Sequence, residues 1–277
     1  MITLEHLVAS HDTLLLDVMG VLINKKGAIE GAPQFVDYLN EKNKKYFLLT
    51  NICGDTEIGI YERLRKNGIP LLSWECVISA GSLVQDYIFN NIPAGAKVAF
   101  IGPPSCRTVL DTGKHSIVSC GEAELFDVLV LLDDEGFSFR EILEAALTAC
   151  VRYFKSSGKL PLLLLANSDS AYPRGSDSYA FGSGIFATMF SEALKKLLGT
   201  EPEVISFGKP SNRMFAEGKR RSGASSMMMI GDQVATDILG ANMFGITSTL
   251  VLTGLNSRTD VGQELSTPNH IIDNLRI

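Results

Sequence analysis

The chain is 277 residues long, 45% hydrophobic and 20% charged, with a formal net charge of −6. That length can bury more than one core, and the composition excludes disorder and fibrous repeats. The acidic balance offers no electrostatic footprint for nucleic acid or an anionic membrane.

The elements alternate along the chain. Residues 13–18, TLLLDV, read as a strand that climbs to Asp17 before the chain breaks at Gly20. A helix is predicted over 32–43, with Phe35, Val36 and Leu39 at helical spacing. A second strand, 45–51, ends on Thr50 and Asn51. The helix after it, 55–68, is signalled by Asp55 at its start, Ile58, Tyr61 and Leu64 on one face, and Gly68 at its end. The middle of the chain repeats the pattern, with a strand over 97–102, a helix over 104–113 and a strand over 126–134. A long helix over 138–158 carries Ile142, Leu143, Ala146, Leu147, Cys150, Val151 and Phe154 on one side. A strand over 159–169 then runs into a polar loop, 167–178. The glycines of GSGIFA, 182–187, read as a tight turn opening a helix; no strand-to-helix unit around them supports a dinucleotide fingerprint. The closing elements are a strand over 225–232, a helix over 234–245 and a strand over 248–254. The methionines at 227–229 read as core filling within that first strand.

Such alternation builds a parallel sheet covered by helices on both faces. The expected fold is α/β: a Rossmann-like doubly wound parallel sheet from 1–80 and 205–277, with an inserted α/β domain over 81–204. The five cysteines show no CxxC pair and the four histidines no ligand spacing. They predict reduced thiols, no zinc site and a cytoplasmic protein. No apolar run is long enough to span a bilayer, and the N-terminal residues lack the features of a signal peptide.

Ligands of parallel sheets gather outside the carboxyl ends of the strands. Asp17, the pair Thr50 and Asn51, and Asp232 after Gly231 all fall at such ends. Lys209, in FGKP, stands where the chain should return to the first domain, and Asp237 follows Asp232 by about one helical turn. Alone, each reads as a turn former, a helix cap or a solvated lysine. As an ordered set, acids, lysine, hydroxyl and amide suit a phosphate bridged by a divalent cation.

In this order the motifs resemble the haloacid dehalogenase superfamily, and within it the class IIA phosphatases. LLLDVMGVL, FLLTN, GKP and MIGDQVATDI stand at its first to fourth motifs, and LVLTG and TPNHIIDNL fit its later segments. The resemblance implies that Asp17 attacks phosphorus and becomes an aspartyl-phosphate. Magnesium would be held by Asp17, Asp232 and the Met19 backbone carbonyl. Thr50 and Asn51 would bind phosphate oxygens, Lys209 would neutralise Asp17 and the phosphate, and Asp237 would orient Lys209 or a metal-bound water. The inserted domain would be the family's cap, with Asn167 and Asp169 at its substrate-selecting motif, and a homodimer through the cap is compatible with the class. The implied partner is a small phosphorylated substrate, not nucleic acid or membrane.

One residue departs from the pattern. Most phosphatases of the superfamily carry a second aspartate two residues after the nucleophile, to protonate the leaving group and activate water. Here that position is Met19, which can do neither. Two readings follow: a magnesium-dependent phosphatase of sugar or nucleotide phosphates, slowed by Met19, and a catalytically weak relative that binds a phosphorylated metabolite or a protein. A dehalogenase of the superfamily needs no magnesium, and the retained Asp232 and Asp237 argue against that reading.

Overall fold

The computed structural model describes residues 3–121, 125–175, 178–260 and 264–277. Helix α1 (Leu4–Ala9), whose first turn is capped by the Thr3 hydroxyl, leads into β1 (Thr13–Leu16). A small hairpin, β2 (Ile23–Asn24) and β3 (Gly27–Ala28), precedes α2 (Ala32–Glu41), which buries Phe35, Val36 and Leu39 as their spacing predicts. Then come β4 (Lys45–Thr50), α3 (Glu57–Lys66), β5 (Val77–Ser79) and α4 (Ala80–Asn91). The next stretch holds β6 (Lys97–Ile101), α5 (Cys106–Leu110), β7 (Ser116–Ser119), β8 (Val128–Leu131), α6 (Phe139–Ser157) and β9 (Leu162–Leu165). It continues through β10 (Ala171–Gly175), β11 (Ser178–Phe181), α7 (Gly184–Leu198) and β12 (Val204–Ser206). The chain closes with α8 (Asn212–Ser222), β13 (Met227–Gly231), a π turn (Val234–Ile238), α9 (Leu239–Phe244), β14 (Thr247–Val251) and β15 (His270–Ile272).

These elements divide into two compact units, one of Met1–Thr50, Glu57–Ser79 and Lys209–Ile277, the other of Asn51–Thr56 and Ala80–Gly208. The first is a six-stranded parallel sheet in the order β15-β14-β13-β1-β4-β5, the Rossmann-like core expected from the alternation. Its central strands are buried on both faces, so they read as unbroken apolar runs. Leu14, Leu15 and Leu16 of β1 pair with Met228, Met229 and Ile230 of β13, and all are buried.

The second unit holds a five-stranded parallel sheet, β12-β9-β8-β6-β7, packed on α6 and α7 around Leu129, Leu131, Leu163, Phe186 and Phe190. Because β12 pairs with β9, this unit runs to Gly208, past the expected 204. The glycines of 182–187 turn the chain into α7, as predicted.

Two local expectations are corrected. The stripe on α3 is Ile60 with Leu64, whereas Ile58 is 49% exposed. At 3.6 residues per turn, Ile58 lies about 120° around the helix from Leu64, and Ile60 only about 40°. The polar loop 167–178 contains β10, paired antiparallel with β11. Ser178, Tyr179 and Phe181 of β11 are exposed, so β11 shows no apolar alternation of a strand with one buried face. Among the described residues, no helix is long and apolar enough to cross a membrane.

Candidate active site

In the first unit β13, β1 and β4 are adjacent and parallel, so their carboxyl ends share one edge. Asp232 follows β13, Asp17 follows β1, and Thr50 ends β4, where it is buried and lies opposite Ser79. The Asp17 N–H donates to the Ile230 carbonyl at 2.9 Å, carrying the ladder one step beyond β1 and fixing the backbone from which the carboxylate projects. Lys209 meets this edge from the segment before α8. Its Nζ donates to Asp17 Oδ1 at 2.6 Å and lies 2.7 Å from Asp237 Oδ1.

Asp237 reaches the site through the π turn. The Ile238 N–H donates to the Gln233 carbonyl five residues back, at 3.2 Å, and the Asp237 N–H to the same oxygen at 3.0 Å. That wide turn brings the Asp237 carboxylate back toward β13, where Oδ2 accepts from the Gln233 N–H at 3.1 Å. Gly231 leaves the necessary room, since a Cβ there would stand 2.2 Å from Asp237 Cγ. The helix expected over 234–245 thus starts as a π turn, a distortion often found at functional sites.

The electrostatics are those of crowded, buried acid. Asp17, Asp232, Asp237 and Lys209 are all buried, and the three acids each offer an oxygen within 4.8 Å of the others. Burial, with Asp17 and Asp237 nearby, drives the Asp232 carboxyl well above the usual range. Burial pushes Asp237 up to about 6, with the Lys209 ammonium opposing it. For Lys209 burial disfavours the charge, but Asp17 and Asp237 outweigh it and the pKa rises. Among the described residues the ion pairs to this cluster come from Lys209, so the acids outnumber the paired cation three to one.

The donor set fits a hard divalent cation, which takes oxygen ligands. Asp232 Oδ2 accepts from the Leu255 N–H at 2.7 Å. Its Oδ1 is buried with no hydrogen-bond partner among the described residues, a costly state that a cation would relieve. Two glycines make space around this carboxylate. A Cβ on Gly20, whose φ is +84°, would lie 2.3 Å from Asp232 Oδ2, and one on Gly254 would lie 2.0 Å from it. Met19, beside Gly20, has 38% of its surface exposed.

Asn51, Asn167 and Asp169 come together in the second unit. Asn51 Nδ2 donates to Asn167 Oδ1 at 3.2 Å, and the same oxygen accepts from the Asp169 N–H at 2.9 Å. The Ser183 hydroxyl donates to the Asn167 carbonyl at 3.2 Å. This packing needs glycine nearby, for a Cβ on Gly182 would fall 2.2 Å from the Asp169 carbonyl oxygen. Two features escape the sequence reading. One is the loop over 253–256, whose contacts with Asp232 only Gly254 after a strand hints at. The other is a cavity of about 570 Å³ in the second unit, lined by Asp134, Glu135, Phe139, Tyr179 and Phe181 among others.

A parallel α/β sheet thus gathers three acids and a lysine at one edge. A model of haloacid dehalogenase-like hydrolases matches residues 14–113, and a second, HAD-hydrolase-like model matches 206–276. The chain belongs to the haloacid dehalogenase-like hydrolases. It is 27% identical over 277 residues to the glycerol-3-phosphate phosphatase of Gallus gallus, covering 94% of this chain and 85% of the relative. It is also 27% identical over 269 residues to the acid sugar phosphatase of Staphylococcus epidermidis, covering 96% of each. The crystal structure of a possible sugar phosphatase of the superfamily from Cytophaga hutchinsonii superposes with a TM-score of 0.83 at 27% identity, over 99% of this chain and 97% of that one.

Proposed function

We propose that the chain is a magnesium-dependent phosphatase of small phosphate monoesters, acting through an aspartyl-phosphate on Asp17. The observation that carries this reading is the Lys209 ammonium, buried 2.6 Å from Asp17 Oδ1 and 2.7 Å from Asp237 Oδ1, in a site where Asp232 Oδ1 has no hydrogen-bond partner among the described residues. The names of the relatives favour phosphates of sugars and glycerol over nucleotides.

Asp17 attacks phosphorus, the bond from phosphorus to the ester oxygen breaks, and the ester oxygen leaves with the electron pair as an alkoxide or phenolate that takes its proton from solvent. Water then attacks the aspartyl-phosphate, which releases phosphate and returns Asp17. Lys209 offsets charge on Asp17 and on the phosphoryl oxygens, with Asp237 holding it in place. Thr50 and Asn51 bind those oxygens, and Asn167 and Asp169 of the inserted domain select the alcohol portion. A magnesium ion held by Asp17, Asp232 and the Met19 carbonyl would supply Lewis-acid stabilisation of the phosphoryl charge.

Met19 leaves the departing oxygen without a proton donor and the water without a base. A good leaving group needs little protonation, so attack by Asp17 should survive on p-nitrophenyl phosphate. The expected result is a pre-steady-state burst of nitrophenol followed by slow turnover, with both lost in Asp17→Asn. The second reading, a weak relative that binds a phosphorylated metabolite, is favoured by Met19. Failure to detect any Asp17-dependent product, with magnesium and an activated ester present, would decide for it.

A further inference from the structure

We propose that Thr253 is a positioning residue for the divalent cation, acting through the turn at Gly20. The inference rests on reading Asp17, Asp232 and the Met19 carbonyl as the cation's oxygen ligands.

After β14 the chain folds over Asp232 and is tied to the site at four points. The Thr253 hydroxyl donates to the Gly20 carbonyl at 2.7 Å. The Leu255 N–H donates to Asp232 Oδ2 at 2.7 Å, and the Asn256 N–H to the Asp232 carbonyl at 3.2 Å. Asn256 Oδ1 accepts from the Val234 N–H at 2.8 Å. Gly254 sits so close that a Cβ would lie 2.0 Å from Asp232 Oδ2. This loop commits one oxygen of Asp232 and leaves the other, Oδ1, without a partner among the described residues.

The Gly20 turn is held on both sides. Its N–H belongs to the peptide whose carbonyl is that of Met19, and it donates to the Ile23 carbonyl at 2.9 Å. Its own carbonyl belongs to the next peptide, and Thr253 takes that one. At a φ of +84° glycine has wide conformational freedom, so these two hydrogen bonds define the direction of the Met19 carbonyl. Thr253 therefore links the loop that orients Asp232 to the turn that carries the third oxygen. Hydrogen bonds made directly to metal ligands typically change metal affinity by about 10- to 100-fold when removed, and one to the adjoining peptide belongs at the low end of that range.

The test is calorimetric titration of magnesium into the full chain, as wild type, Thr253→Val, Thr253→Ser and Asp232→Asn, with melting temperatures taken in EDTA. Thr253→Val should weaken binding about 10-fold, and Thr253→Ser, which keeps the hydroxyl, should restore most of it. If the valine variant does not fold, Thr253→Ala gives the same comparison with serine. Unchanged affinity in Thr253→Val, with or without a fall in the EDTA melting temperature, would overturn the role of Thr253 alone. Binding by Thr253→Ser as weak as by Thr253→Val would do the same. A wild type that binds no magnesium, or Asp232→Asn that binds it equally, would overturn the cation reading and this inference with it.

Discussion

Met19 is where residue identity and reaction rate meet. On the proposed phosphatase reading its neighbours serve phosphoryl chemistry, with Asp17 paired to Lys209 at 2.6 Å and Gly20 leaving space for the Asp232 carboxylate. A thioether at this position removes proton transfer and leaves the charges intact. A positioned acid–base group contributes about 10²- to 10⁴-fold. Met19→Asp should therefore raise steady-state turnover of glycerol phosphate by about 100-fold, and that of p-nitrophenyl phosphate less in the first step, whose leaving group needs no proton. Comparing burst and steady-state rates for the two esters checks this. Equal and negligible effects on both would show that Met19 does not limit the reaction.

At the scale of elements, Arg221 on α8 is the joint that holds the sheet's flank. Its guanidinium reaches Glu217 Oε1 at 2.7 Å, Glu57 of α3 at 3.1 Å and the Val77 carbonyl of β5 at 2.9 Å. Hydrogen bonding from Arg220, with burial opposing and Arg221 assisting, brings the Glu217 carboxyl down from its ordinary 4.5 to about 2. A depressed carboxylate stabilises the fold above its unfolded pKa, and that stability is lost as pH falls from 4.5 toward 2. The whole shift would correspond to about 3 kcal/mol, which screening at exposed Arg220 reduces to about 1–2 kcal/mol. Glu217→Gln should thus lower stability by that amount at pH 7, with the gap to wild type narrowing once the pH drops below 4.5. Urea midpoints at neutral pH and at pH 4 read the difference; a gap that widens on acidification would refute the assignment.

The whole molecule carries a net charge of −6, and part of its acid lies where repulsion costs most. Asp17, Asp232 and Asp237 crowd within 4.8 Å of one another, and among the described residues Lys209 alone is ion-paired to them. A cation bound only by the folded chain would raise stability by about 2.7 kcal/mol at a concentration 100 times its dissociation constant. For a chain of 277 residues that is a rise of about 5 °C in melting temperature. Magnesium should give such a rise, EDTA should reverse it, and Asp232→Ala should show none. An equal rise in the variant would place the binding elsewhere.

By itself the sequence determined the alternation of strand and helix, the parallel sheet, and the strand ends at which Asp17, Thr50 and Asp232 stand. These follow from apolar runs and the breakers that end them, which are local signals. The motif order and the resemblance it carries implied that Lys209 meets Asp17 and Asp237; tertiary structure gave that meeting its geometry, a contact spanning 192 residues of chain between Lys209 and Asp17. Tertiary structure alone decided that a π turn brings Asp237 back beneath Gly231, that the 253–256 loop orients Asp232, and that Asn51 pairs with Asn167 in the second unit. It also chose Ile60 over Ile58 and drew β12 into the second sheet. Such contacts depend on which surfaces folding brings together, and residues so far apart in the chain leave no periodicity that reveals their meeting.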